Sequence, residues 1–187
     1  TKVMTALIIC EQCNVLDRMR IPKEAVGIEG SSMYLREGEV LTVQELLYGM
    51  MLHSGNDAAV ALAIYCGGTV EGFAGLMNDK ARILGMKDTH FVNPNGLDAP
   101  GHYSTARDLA IITEQALQNA AFTQMFCANQ YTMPATNLSD ERIIYTTNYM
   151  TRDVKVKGYT DDRVTGGKTA AATQTKRSLI CTAQIGT

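Results

Sequence analysis

Residues 2 to 12 are apolar on almost every face of a would-be helix, which predicts a helix buried at the centre of a helical layer. Between residues 26 and 42 the pattern turns irregular and carries Gly27, Gly30 and Gly38, predicting a loop or short hairpin. Thr42-Val43-Gln44-Glu45 then reads as a capping box, in which the threonine hydroxyl accepts a backbone N–H and the glutamate reaches back to the cap. A helix follows to about His53, with Leu46, Leu47, Met50 and Met51 at helical spacing as core. Ser54-Gly55-Asn56 breaks it, and Asp57 opens another apolar helix from Ala58 to about Cys66. Glu71 to Leu84 reads as an amphipathic helix stopped by Gly85, and Asp108 to Ala116 as another, capped by Ser104 or Thr105. After Phe126 the chain turns β-branched and aromatic, with Tyr131–Met133, Ile143–Thr146 and Ser178–Thr182 as short strands. Helices in residues 1–127 and strands in 128–187 predict an α+β class over an alternating α/β one.

Composition narrows this further. A chain of 187 residues suffices for one sizeable core, so a single domain is expected. Hydrophobic residues at 45%, charged residues at 19% and a net charge of -2 argue against electrostatic binding of nucleic acid, which needs a clustered basic face. The longest apolar stretches fall short of the roughly 20 residues that span a bilayer, and the chain starts without Met or a signal-like region, so any targeting peptide is expected to be absent or removed. Cys10, Cys13, Cys66, Cys127 and Cys181 are an odd number among apolar neighbours and read as buried free thiols. Cys10 and Cys13 form a Cys-x-x-Cys, but inside a helical pattern and with no second pair or nearby His to complete a zinc site, so no metal and no cofactor is expected.

Three short segments carry candidate chemistry. Thr1-Lys2-Val3 reads as the back half of Ser-x-x-Lys, with the nucleophile two residues upstream of Thr1. Ser54-Gly55-Asn56 reads as Ser-x-Asn, and Gly166-Gly167-Lys168-Thr169 leads into a late strand as Lys-Thr-Gly does. Lys2 is then the candidate base. An ordinary lysine pKa near 10.4 must fall by roughly three units to serve at neutral pH, about 4 kcal/mol. Burial pushes it that way, and so does a second cation, since two charges ~4 Å apart at a dielectric of 20 repel by about 4 kcal/mol. Lys168 is the candidate for that cation and for attracting a substrate carboxylate. Ser54 is a candidate proton relay to the leaving amine, and Asn56 can hold Lys2 and the substrate backbone. Thr169 can bond a substrate carboxylate, and the Ala171 N–H can form half of an oxyanion hole.

Each piece alone has a plainer reading. Ser-Gly-Asn is a common turn tripeptide, Lys168-Thr169 can face solvent on a strand, and Lys2 can be a surface lysine. Their order and their placement at a helix start, an interhelical turn and a strand are far more specific. His53, His90 and His102 lie on unrelated segments without metal spacing and read as surface or hydrogen-bonded residues. The run from Phe91 to Asp98 reads as a rigid turn set by Pro94 and Gly96.

With these motifs the chain resembles the D-alanyl-D-alanine carboxypeptidases among the low-molecular-mass penicillin-binding proteins. The likeness extends through Ile28–Leu35, Leu47–Leu52, Asn56–Ala59, Leu84–Phe91 and Gly101–Asp108, nearly the whole chain. It implies a β-lactamase/transpeptidase-like fold, an antiparallel sheet flanked by helices, here truncated at both ends. It implies a serine acyl-enzyme that removes the terminal D-alanine of peptidoglycan stem peptides, is acylated by β-lactams, and lies outside the cytoplasm in the cell envelope. Carried over, Lys2 is the general base, Ser54 and Asn56 the second motif, and Lys168 and Thr169 the third. Two positions depart from the family: Ala170 stands where Gly is usual, where a methyl could crowd the substrate backbone, and Asn95 where many members carry His. The family also has strands before the nucleophile and strands and a helix after Thr187, so this chain alone is not expected to form the acyl-enzyme. A membrane anchor beyond Thr187 stays open. So do two rivals: a β-lactamase, disfavoured because no glutamate stands out to activate a deacylating water, and a non-catalytic peptidoglycan-binding or scaffold homologue, with which Ala170 is compatible.

Overall fold

A computed structural model of the protein describes residues 1–151, 158–173 and 176–185. In α1 (Lys2–Gln12) every residue from Val3 to Ile9 is buried, Thr5 included. The all-round apolar pattern therefore becomes a central helix, and α2 (Val43–Leu52), α3 (Asn56–Gly67), α4 (Val70–Ile83), α5 (Ala106–Leu117) and α6 (Ala120–Phe126) all pack on it. The capping box is present: Thr42 Oγ1 accepts the Glu45 N–H at 3.1 Å, and Glu45 Oε2 accepts the Thr42 N–H at 2.7 Å. Thr105, not Ser104, caps α5.

The strands are short. β1 (Arg18–Arg20) pairs antiparallel with β2 (Val40–Thr42), which runs straight into the cap of α2. β3 (Gln130–Met133) pairs with β4 (Arg142–Tyr145), and β5 (Val164–Ala172) with β6 (Lys176–Ala183), both antiparallel. The described residues thus form three two-stranded antiparallel ladders beside a helical layer, an α+β arrangement. Strand β1 and helix α6 are additions to the sequence reading. Three residues are too few to show a period of two, and the two turns of α6 are too few to show one of 3.6.

Two buried carboxylates tie the loops to this frame. Asp57, in the first turn of α3, accepts from Ser32 Oγ (2.7 Å), Met33 N (2.9 Å), Leu35 N (3.1 Å) and its neighbour Ala58 N (2.9 Å). A negative group there also suits the positive end of the helix. Glu39, fully buried, pairs with Arg142 on β4 and accepts from Thr136 Oγ1. The 28–39 loop is thereby held between α3 and β4.

Candidate active site

Lys2 begins α1, and its Nζ donates to Asn56 Oδ1 at 2.7 Å and to the Asn95 carbonyl at 2.6 Å. Asn56 begins α3. Its Nδ2 donates to the Glu29 carbonyl at 2.7 Å and its backbone N–H to the Ser31 carbonyl at 2.7 Å, so its amide oxygen is the atom left for Lys2. Gly30, at φ +84, lies so close that a Cβ there would stand 2.8 Å from Asn56 Nδ2. The 28–31 segment thus fixes the asparagine that fixes the lysine.

The second partner of Lys2 is a main-chain atom, which no side-chain motif encodes. The 93–97 turn is closed by Asn93, whose Oδ1 accepts the Gly96 N–H (2.8 Å) and whose Nδ2 donates to the Leu97 carbonyl (2.9 Å). Asn95 spends its own Oδ1 on the Leu97 N–H, and Thr5 Oγ1 donates to the Pro94 carbonyl at 2.7 Å. The turn is therefore bolted to α1 with the Asn95 carbonyl facing Lys2. Asn95 contributes its backbone where the sequence suggested a side-chain departure.

His102 completes this clamp. Its Nδ1 accepts the Val92 N–H at 3.1 Å, which places the ring proton on Nε2, 2.7 Å from Thr1 Oγ1. Burial above all, with His90 adding to it, holds the imidazole well below its usual range against the opposing pull of Asp98, so the ring is neutral at ordinary pH. The sequence allowed a hydrogen-bonded histidine here but not one beside the lysine, because contact between residues 1 and 102 is a tertiary fact.

Lys168 lies on β5 and is 6% exposed, its Nζ donating to the Thr169 carbonyl at 2.6 Å. Burial lowers Lys168 to about 7, helped by the charge of Lys2. Burial lowers Lys2 to about 8 against the pull of Asp57. Lys168 loses its proton first, so it feels a charged Lys2 while Lys2 titrates beside a largely neutral neighbour. Thr169 Oγ1 lies 2.6 Å from Thr147 Oγ1, a contact the sequence did not suggest, and Ala170 and Ala171 are exposed on the same strand.

Ser54 sits in the turn between α2 and α3 at φ +65, a left-handed backbone that costs a non-glycine residue roughly 1–2 kcal/mol. Its hydroxyl makes no hydrogen bond to the described residues, in contrast to Lys2 and Asn56. The structure therefore brings Lys2 and Asn56 into contact, puts Lys168 within electrostatic reach of Lys2, and leaves Ser54 unbonded on a strained turn.

Comparison with known proteins agrees along the whole chain. Residues 1–187 match the family described as D-alanyl-D-alanine carboxypeptidase. The chain is 42% identical over 129 residues to the D-alanyl-D-alanine carboxypeptidase DacF of Bacillus subtilis, covering 66% of this chain and 33% of that protein. It is 38% identical over 130 residues to DacA of Escherichia coli, covering 64% and 32%. A D-alanyl-D-alanine carboxypeptidase structure from Mycobacterium tuberculosis superposes with a TM-score of 0.87 at 29% identity, covering 99% of this chain and 67% of that one. Penicillin binding protein 5 from Haemophilus influenzae does so with a TM-score of 0.83 at 28% identity, covering 98% and 53%. The chain spans about a third of the length of the curated relatives it matches.

Proposed function

Because the chain belongs to the D-alanyl-D-alanine carboxypeptidase family, we propose that it is the single catalytic domain, in part, of a longer serine-type carboxypeptidase that removes the terminal D-alanine of peptidoglycan stem peptides. The observation that carries this reading is the half-buried Lys2 ammonium, held by two neutral acceptors, Asn56 Oδ1 and the Asn95 carbonyl, and by no carboxylate among the described residues. At about 8, roughly one Lys2 in ten is a free base at pH 7, against about one in a few thousand for an ordinary lysine.

In this reading a serine two residues before Thr1 attacks the peptide carbonyl and Lys2 takes its proton. Ser54, mid-way in exposure on its strained turn, passes a proton toward the leaving D-alanine, and Asn56 orients Lys2 and the substrate backbone. Lys168 and Thr169 receive the terminal carboxylate, whose approach favours the charged form of Lys168. The Ala171 N–H supports the oxyanion. Ala170, being exposed, has room for its methyl, so its effect falls on affinity more than on turnover. The substrate calls for an extracytoplasmic enzyme in the cell envelope, and β-lactams acylate the same serine.

The test is intact mass of the longer parent protein after incubation with benzylpenicillin. We expect a stable one-to-one adduct, slowed about 10²- to 10⁴-fold in Lys2→Ala. A folded parent that takes no adduct overturns the proposal, and an adduct that is hydrolysed within seconds makes the protein a β-lactamase instead.

A further inference from the structure

Helices α1 and α3 run side by side in the same direction. At their starts Lys2 bonds Asn56 at 2.7 Å, and ten residues further along each, Gln12 Oε1 meets Cys66 Sγ at 3.6 Å. Ten residues of helix rise about 15 Å, so the two helices keep step along their length. Cys13 follows Gln12 as the C-cap of α1, in an extended conformation (φ -115, ψ 147), so it lies next to the residue that touches the Cys66 sulfur, and the two thiols interact. Both thiols are reduced and half-buried. The sequence pairs Cys13 with Cys10 as a Cys-x-x-Cys, whereas the fold sets it against Cys66 of another helix.

We propose that Cys13 and Cys66 form a disulfide when the protein meets a disulfide oxidant, crosslinking the ends of α1 and α3 opposite the Lys2–Asn56 contact. The Cys66 thiolate attacks an oxidant RSSR, forming a mixed disulfide and releasing one thiolate. The Cys13 thiolate then attacks the Cys66 sulfur and displaces the second. Two S–H bonds are lost, one S–S bond is gained, and the two electrons and two protons leave as two RSH. The titratable neighbours of the pair are Cys10, Asp17 and Tyr65, none of them cationic. Burial pushes Cys13 up to about 12 and raises Cys66, so the thiolates are scarce at neutral pH. The bond accordingly forms slowly and serves structure, not redox turnover. It closes a long loop carrying β1, β2, α2 and the Ser54 turn, the geometry in which a crosslink constrains the unfolded chain most. The inference does not rest on the proposed activity, although an extracytoplasmic location would supply the oxidising surroundings.

The purified, reduced protein is incubated with excess glutathione disulfide at mildly alkaline pH and followed by intact mass, non-reducing peptide mapping and thermal melting. We expect a loss of about 2 Da, a crosslinked peptide pair containing Cys13 and Cys66, and a Tm about 5–10 °C higher than with dithiothreitol present. Cys66→Ser should abolish all three changes, and Cys13→Ser serves equally if the first variant does not fold. A Cys10–Cys13 peptide, glutathione adducts alone, unreacted thiols, or a crosslink that lowers the Tm each overturn the proposal.

Discussion

Lys168 is almost fully buried and forms no ion pair among the described residues. Its pKa is about 7 when folded against 10.5 when unfolded, so between those values the unfolded chain holds the extra proton and stability rises with pH. Lys2 adds to the same slope from about 8 upward. His102 contributes in this direction only below about 6.5, and Cys10 and Cys13 oppose it only above about 9. With Thr1 joined to residues before it, the window from pH 7 to 8.5 therefore isolates the lysines. Urea denaturation should show a gain of about 2–3 kcal/mol from the two lysines across that window, about two thirds of it lost in Lys168→Met. An unchanged slope in the variant would show that Lys168 titrates normally. The identity of both lysines was legible in the sequence as two motif positions. Their displaced pKa values were not, because desolvation depends on what surrounds a side chain.

Helix starts organise the site, and their caps differ in energetic depth. Thr42 satisfies one backbone donor of α2 at a half-buried position, so Thr42→Ala should cost about 1 kcal/mol. Asp57 satisfies four donors, three of them from the 32–35 loop, and an amide there turns two hydrogens toward groups that also donate. Asp57→Asn should cost about 2–4 kcal/mol and free the loop that also positions Glu29 and Ser31 against Asn56. The expected order, Asp57→Asn well above Thr42→Ala, is read from denaturation midpoints, and the reverse order would remove Asp57 from its place in the frame. The capping box was visible in sequence because its partners lie three residues apart. The Asp57 network was not, because three of its four donors come from more than twenty residues upstream.

Across the molecule, the strand-rich part meets the helical layer at α2, where Tyr48 stacks on Tyr131 of β3, and at α6, which β5 touches. At the second of these, Gly166 makes a close approach: a Cβ there would lie 2.7 Å from a Phe126 ring carbon and 2.8 Å from the Phe126 carbonyl. Gly166→Val must push β5 away from α6, at a cost of about 1–3 kcal/mol. Two residues along the strand, Lys168 would then move toward solvent and back toward an ordinary lysine. In the parent protein, benzylpenicillin acylation should slow at least tenfold while the helical layer keeps its far-ultraviolet signature. Wild-type kinetics in that variant would show that the seam does not set the position of Lys168.

The amino-acid sequence by itself determined the helices with strong periodicity, the α+β class, the three motifs and the family resemblance, because these depend on side chains a few residues apart or on short recognisable strings. Only the tertiary structure decided that Lys2 is held by a backbone carbonyl from the 93–97 turn, that His102 braces Thr1, that Ser54 sits on a left-handed turn, and that Cys13 comes beside Cys66 of another helix. Burial, main-chain acceptors and contacts between residues 50 to 100 positions apart arise only when helices and strands pack. A linear pattern can nominate the chemistry, but the packing sets the charge state and the reach of each group.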